Sequence, residues 1–207
     1  MKKAIVSFVL SLMFPLVLFA DGYTSLWKQY NEAETKDLPK TQIKILNNII
    51  AQAKAGKSYG NLLKAEFDKV ATASGISDEL FQSELSALKK AAGEASAVDP
   101  ALAAVYNCAL GCSYSLVAKS HYKSDSKKLS REYFDKALAD PEMLASKKAL
   151  DYAPFVREGV DSEIFGNDLL SLVGYYSERY ALLNDYYNKA GNRRASLVTA
   201  LWMLEKR

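Results

Sequence analysis

The side chains that most often carry out catalysis are sparse in this 207-residue chain, which contains one histidine, His121. A serine or cysteine nucleophile needs a neighbouring base, and a multi-histidine metal site needs several imidazoles. One histidine leaves little for the first and nothing for the second. His121 also matches a packing position of the helical repeat described below, so we predict a core or half-buried imidazole.

The acidic residues do not form a recognisable catalytic pattern either. Residues 32–36 and 84–90 mix glutamates with lysines, as is typical of exposed helix faces. Two acids for glycoside hydrolysis need not be close in sequence, but no spacing indicates such a pair. Residues 56–60 contain Gly-Lys-Ser without the glycine pattern of a phosphate loop. We therefore predict a protein that is not an enzyme and that has no cofactor and no metal site.

The two cysteines, Cys108 and Cys112, lie four residues apart in a segment with helical periodicity. They share a helix face, but two side chains within one regular helix are poorly directed for a disulfide. We expect small buried apolar side chains. A local disulfide and metal binding remain the alternatives, although no histidine or carboxylate has a matching spacing.

The N-terminus has the features of an export signal. Lys2 and Lys3 precede an apolar run over residues 4–19, and Ala20 is followed by polar residues. Pro15 interrupts the run, which is shorter than the roughly 20 residues that span a bilayer. We predict a signal peptide over residues 1–20 and a periplasmic or extracellular protein.

The rest of the chain, residues 21–207, is predicted to bind no nucleic acid and to contain no membrane span. The whole sequence has 27 basic and 24 acidic residues, and Lys2 and Lys3 belong to the predicted signal peptide. No run of basic residues is longer than two, whereas phosphate binding needs a concentrated basic surface. The partners that remain are proteins or peptides, including further domains of the same chain.

Apolar residues recur at helical spacing almost throughout, which predicts an all-α fold of antiparallel helical hairpins in one region over residues 21–207. Six helices are expected before residue 140, and no segment alternates like a strand. Three junctions carry helix-start signals: Asp37 before Pro39, Ser77, and Asp99 before Pro100. In particular, we predict that Asp37 caps the second helix and that Pro39 occupies its first turn.

Two segments resemble tetratricopeptide units, in which small residues let paired helices approach closely. The first contains Tyr114, Val117, Ala118, His121, Ser130, Phe134, Ala137 and Asp140-Pro141. The second, more degenerate, contains Tyr180, Leu183, Asn184, Tyr187, Gly191, Ser196 and Ala200. A generic helical bundle with accidental matches is the alternative.

Residues 151–167 are the least regular part of the chain. A helix must end near Ala153, because the residue before a proline is disfavoured in the helical region, and Asn167 is expected to cap the next helix. One interpretation of this loop is a ligand site formed by its aromatic and polar side chains, which are Phe155, Glu158, Asp161, Ser162, Glu163 and Phe165. The simpler interpretation is that its apolar residues fix the loop to the helices and its carboxylates are solvated.

Tyrosines cluster over residues 175–187 and could line the groove of a helical-repeat array, where such proteins bind peptides. Packing between helices explains most of them. Tyr175 and Tyr186 are the two that we predict to point outward and to contact a partner.

Several motifs together resemble the N-terminal region of large exported bacterial alpha-2-macroglobulin-like proteins, those that contain MG2 domains. They are Leu26-Trp27-Lys28, residues 36–41, residues 49–53, residues 62–65, Tyr152-Ala153-Pro154-Phe155, Asp161-Ser162, Phe165 and residues 167–172. The resemblance implies a longer protein with β-sandwich domains and, in many members, a thioester that traps proteases. Cys108 and Cys112 lack the Cys-Gly-Glu-Gln context of that thioester, so no trapping residue is carried over.

The sequence thus predicts a non-catalytic helical scaffold or docking region of an alpha-2-macroglobulin-like protein. Leu197, Leu201 and Leu204 keep helical period up to Arg207, which favours the N-terminal fragment of a longer chain. The alternative is a freestanding periplasmic tetratricopeptide-like adaptor that binds a peptide or protein.

Overall fold

The computed structural model describes residues 14–119, 124–159 and 161–206. This part of the chain forms ten α-helices and no strand, so the predicted all-α class is confirmed. The helices are α1 (Phe14–Thr35), α2 (Pro39–Gly56), α3 (Tyr59–Ser74), α4 (Asp78–Ser96), α5 (Pro100–Lys119), α6 (Ser124–Ala137), α7 (Pro141–Ala145), α8 (Leu169–Tyr176), α9 (Tyr180–Lys189) and α10 (Arg193–Glu205). Short 3₁₀ helices cover Ala149–Tyr152 and Ser162–Phe165.

The helices form an array in which neighbours in sequence are neighbours in space. From α1 to α6, and again from α7 to α10, each helix packs against the next one. Contacts between non-consecutive helices join α3 to α5 and α5 to α8. The irregular segment between α7 and α8 packs on α3 through its first 3₁₀ helix.

The buried apolar residues form two separate clusters. The smaller cluster joins α1, α2 and the first half of α3, with Leu46 and Ile49 fully buried at its centre. The larger one runs from α3 to α10 and includes Leu110, Leu144, Leu170 and Leu183. Tyr59 packs against both clusters.

The junction between α1 and α2 differs in one respect from the prediction. Pro39 is the first residue of α2, as expected. The N-cap position is occupied by Leu38, and no side chain accepts a hydrogen bond from the amides at the start of this helix. Asp37 instead ends α1: its φ is 51°, and the Leu38 amide reaches back to the Ala33 carbonyl at 3.0 Å. The prediction that Asp37 caps α2 is wrong, because a left-handed residue is needed there to close the preceding helix.

The other helix starts follow the sequence signals more closely. Ser77 accepts from the Leu80 amide at 3.2 Å, and Asp99 accepts from the Ala101 amide at 2.9 Å. The cap of α8 is displaced by one residue from the prediction: Asp168 accepts from the Ser171 amide at 2.7 Å. Asn167 is left-handed, with φ 56°, and precedes the cap.

The helices α5 and α6 approach each other closely where small residues lie. The Ser130 hydroxyl donates to the Gly111 carbonyl at 2.8 Å, and a Cβ on Gly111 would lie 2.5 Å from the Phe134 ring. The helices α5 and α6 therefore approach each other closely at Gly111. His121 and its neighbours 120–123 lie outside the described residues.

In the second predicted unit, Asn184 lies in contact with α10. Asn184 on α9 donates from Nδ2 to the Ser196 carbonyl on α10 at 2.7 Å and to Thr199 Oγ1 at 3.1 Å. These hydrogen bonds join α9 to α10. Whether these hairpins are tetratricopeptide units stays a prediction.

The predicted helix end before Pro154 is confirmed, since the first 3₁₀ helix stops at Tyr152 and Ala153 is extended. Gly60, at the start of α3, packs against the backbone of Ala153. A Cβ added to Gly60 would lie 1.9 Å from the Ala153 carbonyl oxygen. Phe155 then packs edge-on against Phe67 of α3, with ring centroids 5.7 Å apart. The loop is held to the helices by apolar contacts, as the simpler interpretation expected.

Candidate binding groove

Two cavities lie side by side along α8, beneath the irregular segment. The first, which we call the tyrosine cavity, has a volume of about 370 Å³ and lies between this segment, α8 and Trp202 of α10. The second, the cysteine cavity, has a volume of about 330 Å³ and is bounded by α3, α5 and α8. Arg157, Leu172 and Tyr176 line both. Together the two cavities form one groove, the α8 groove.

Aromatic side chains build the wall of the tyrosine cavity. The Trp202 ring lies 5.1 Å from Tyr175 and 5.3 Å from Phe165, measured between centroids. Phe165 also contacts Tyr187 at 5.2 Å. The contacts fix the second 3₁₀ helix, α8, α9 and α10 relative to one another, so this wall is preformed.

The buried carboxylate of Asp168 lies at the base of the same cavity. The Tyr187 hydroxyl donates to it, at 2.7 Å from Oδ2 and 2.8 Å from Oδ1, in addition to the Ser171 amide. Burial raises the pKa of Asp168, although the hydrogen bonds from Ser171 and Tyr187 oppose that effect. Burial beside this carboxylate also raises the pKa of Tyr187. The Tyr187 hydroxyl and the Asp168 carboxylate thus bond to each other, and Asp168 also caps α8.

The charges of the groove are unevenly paired. In the cysteine cavity Lys64 forms an ion pair with Asp68, and its ammonium also lies 4.3 Å from the Trp27 ring centroid. Burial raises the pKa of Asp68 despite this partner. Within the described ranges, Arg157 has no carboxylate at ion-pair distance and is exposed between the two cavities. Arg157 is therefore an exposed cation available to a ligand in the groove, although its charge also lowers the pKa of Asp68.

The two cysteines line the cavity named after them and are both free thiols. Cys108 is 7% exposed and lies one helical turn from Cys112 on α5. The neighbouring Cys112 and burial raise the pKa of Cys108, whereas the neighbouring Cys108 lowers the pKa of Cys112. Cys108 is buried, as expected for a small apolar side chain, and Cys112 is partly buried.

The two tyrosines predicted to meet a partner lie in different places. Tyr175 is 48% exposed and lines the tyrosine cavity. Tyr186 lines neither cavity, and its hydroxyl donates to Glu142 of α7 at 3.0 Å. The most exposed groove tyrosine is Tyr176, at 57%. In the sequence, the position of Tyr176 is indicated only by its spacing. It lies four residues after Leu172, and residues four apart share a helix face.

Of the loop residues considered for a ligand site, Glu158, Asp161, Ser162 and Phe165 line the tyrosine cavity. Phe155 lines the cysteine cavity instead, and Glu163 lines neither. The sequence therefore identified part of one wall of the groove but not the helices that form the rest.

A second exposed apolar surface lies on the last helix. Leu197, Leu201 and Leu204, which follow one another at intervals of four and three residues on α10, are 64%, 51% and 62% exposed. We call them the α10 leucine face. Such regularly spaced leucines are normally covered by another helix or domain, because a contiguous exposed apolar patch marks an interaction site.

Neither a metal centre nor a membrane span is apparent in the described part of the chain. In residues 14–119, 124–159 and 161–206, no three side chains among histidine, cysteine, aspartate and glutamate are grouped to hold an ion. The same residues include no helix long and apolar enough to cross a membrane. Residues 14–20 of the predicted signal peptide are part of α1, and its cleavage stays a prediction.

Comparisons with protein-family models, with curated proteins and with solved structures found no match for this chain. The functional argument therefore depends on the geometry of the α8 groove and the α10 leucine face.

Proposed function

We propose that this chain is a non-catalytic helical scaffold, the N-terminal region of an alpha-2-macroglobulin-like protein, and that it docks further domains of the same protein. The α10 leucine face carries this proposal, since its three leucines are each more than half exposed. The motif resemblance, from Leu26-Trp27-Lys28 to residues 167–172, supplies the family.

The packing of the other helices supports a docking role for this face. Each helix from α1 to α5 buries apolar residues against its successor, and α9 does the same against α10. On α10 the side that contacts α9 is buried through Ala195 and Thr199, while the leucines lie on the other side. A following helix or domain would continue the same arrangement by covering them.

The coding sequence after codon 207 provides the first test. Domains resembling macroglobulin sandwiches downstream would support the proposal, and a stop codon there would refute it. If such domains follow, we expect the purified downstream part to bind residues 21–207 in isothermal titration calorimetry. The triple variant L197K/L201K/L204K should lose binding while V98K, at an exposed apolar residue of the α4–α5 turn, keeps it.

A peptide-binding adaptor is the second candidate, and the α8 groove supports it. Its cavities of about 370 and 330 Å³ fall within the size range of small-ligand sites. Tyr176 between them presents a large exposed ring, of the kind enriched at binding hot spots. Peptides selected by display against residues 21–207 should lose affinity with Y176S and keep it with Y186S, because Tyr186 lies outside the groove.

A further inference from the structure

We propose that the tyrosine cavity binds a small zwitterion that carries a quaternary ammonium group and a carboxylate, as glycine betaine does. The cavity offers aromatic rings to the cation and Arg157 to the carboxylate. The site does not include the α10 leucine face, so it is independent of the proposed docking function. It gives the α8 groove a ligand other than a peptide.

Three aromatic side chains of the cavity lining, Tyr175, Tyr176 and Trp202, form what we call the aromatic corner. The rings of Tyr175 and Tyr176 lie at 82° with centroids 5.8 Å apart, and the Trp202 ring lies at 65° to Tyr175 with centroids 5.1 Å apart. Tyr175 and Tyr176 are about half exposed, so a ligand can reach them. Because the face of an aromatic ring carries negative potential, rings at steep angles to one another attract a cation from several sides. A quaternary ammonium group has no hydrogen-bond donor, and proteins recognise it through such rings.

The polar groups of the lining also favour a positive charge. The carboxylates of Glu158, Asp161 and Asp168 line the cavity, whereas Arg157 is the one basic side chain among the described lining residues. Asn167 lies in the same lining, and its buried Oδ1 accepts no hydrogen bond from the described part of the chain. No donor there offsets the partial negative charge of this oxygen. The cavity should therefore prefer a cation to a neutral group of the same shape.

Arg157 determines the second group of the ligand. It is exposed and lies at ion-pair distance from no carboxylate of the described residues. Its guanidinium would repel a ligand that is only cationic, but it can bind a carboxylate through two parallel hydrogen bonds. A zwitterion satisfies both the aromatic corner and Arg157. The cavity volume of about 370 Å³ is at the lower end of the range for small-ligand sites, which suits a compact molecule.

Isothermal titration calorimetry of the purified protein with three probes tests the site. Glycine betaine carries both groups, and tert-butylacetate has the same shape and carboxylate with carbon in place of the charged nitrogen. Choline keeps the cation and lacks the carboxylate. We expect glycine betaine to bind at least tenfold more tightly than either of the other two. Equal affinity for glycine betaine and one of these probes, or no measurable binding of glycine betaine, would overturn the proposal.

Two variants assign the two halves of the site. Y176L removes an exposed ring and keeps an apolar side chain, so it should weaken glycine betaine at least fivefold and leave tert-butylacetate unchanged. R157Q should weaken glycine betaine and leave choline no weaker, a pattern that misfolding would not produce. The control Y186L lies outside both cavities and should behave like the wild type. Wild-type affinity for glycine betaine in Y176L or in R157Q would contradict the site.

Nuclear magnetic resonance of the wild type gives a readout that needs no variant. Nuclear Overhauser contacts between the N-methyl protons of bound glycine betaine and the ring protons of the aromatic corner would support the site. Contacts only with residues outside the tyrosine cavity would refute it. Neither result bears on the α10 leucine face, so the docking proposal stands or falls by its own calorimetry.

Discussion

The hydroxyl of Tyr187 lies 2.7 Å from Oδ2 of Asp168, and this contact joins the last turn of α9 to the start of α8. Asp168 uses the same carboxylate to cap α8 through the Ser171 amide. One buried side chain therefore fixes a helix start, a neighbouring helix and the base of the tyrosine cavity.

Replacing Tyr187 by phenylalanine should leave this buried carboxylate with one donor fewer. We expect the free energy of unfolding to fall by about 1–3 kcal/mol, the cost of an unsatisfied buried polar group. Urea denaturation measures the change. Y186F is the matched control: it removes the exposed hydroxyl bonded to Glu142 and should change stability by less than about 0.5 kcal/mol. Equal effects in the two variants would contradict a structural role for the Asp168 contact.

The raised pKa of Asp168 predicts how stability changes with pH. Between the pKa of an unfolded aspartate, about 3.9, and the higher folded value, the folded state binds more protons. Stability contributed by this group is therefore lost as pH rises through that window. In D168N the contribution is absent, and asparagine can still cap α8.

We accordingly expect the free energy of unfolding of D168N to improve relative to wild type as pH rises from about 4, until the folded pKa is passed. Urea titrations of both proteins at several pH values measure the difference. The burial-raised pKa of Asp68 is common to both proteins, so its contribution cancels. A difference that is constant with pH would show that Asp168 has the same pKa in both states.

Gly60 provides a test of how the irregular segment sits on α3. Because a Cβ would lie 1.9 Å from the Ala153 carbonyl oxygen, G60A must displace backbone and should destabilise the protein by about 1–3 kcal/mol or more. The control is G93A in α4, where an added Cβ meets nothing within 4 Å. There alanine should stabilise the helix by about 0.5–1 kcal/mol. Thermal melts that showed the same sign for both variants would contradict this packing.

Pro39 at the first position of α2 should stabilise the first hairpin mainly by restricting the unfolded chain. P39G is expected to lower the free energy of unfolding by on the order of 1 kcal/mol. P39A should lose less, since alanine restricts the unfolded chain more than glycine does. An unchanged melting midpoint in P39G would indicate that the junction does not contribute in this way.

Helical spacing in the sequence was sufficient to predict the all-α class and most helix starts. Ser77 and Asp99 cap as expected because their signals depend only on neighbouring residues. Asp37 was assigned to the wrong helix because an aspartate before a proline fits both a cap and a left-handed helix end. Local sequence does not distinguish the two when one helix closes and the next opens within three residues.

The groove was predicted only in part because it is assembled from distant segments. Tyr175 and the loop residues around Asp161 were identified from local clustering, but Arg157 and Trp202 line the same cavity through folding alone. Tyr186 was predicted, together with Tyr175, to point outward and contact a partner, and α7 supplies Glu142 as its hydrogen-bond partner. That contact spans 44 residues and has no local signature.

The two apolar clusters that meet at Tyr59 have a consequence for the order of unfolding. A protein whose buried contacts divide into two groups has an internal boundary of cooperativity, and its parts can open with different free energies. Amide hydrogens of α1 and α2, protected by the smaller cluster, should exchange through a partial opening that leaves α5 and α9 closed. A mechanical force applied to the N-terminus would then unfold this first hairpin before it disturbed the groove.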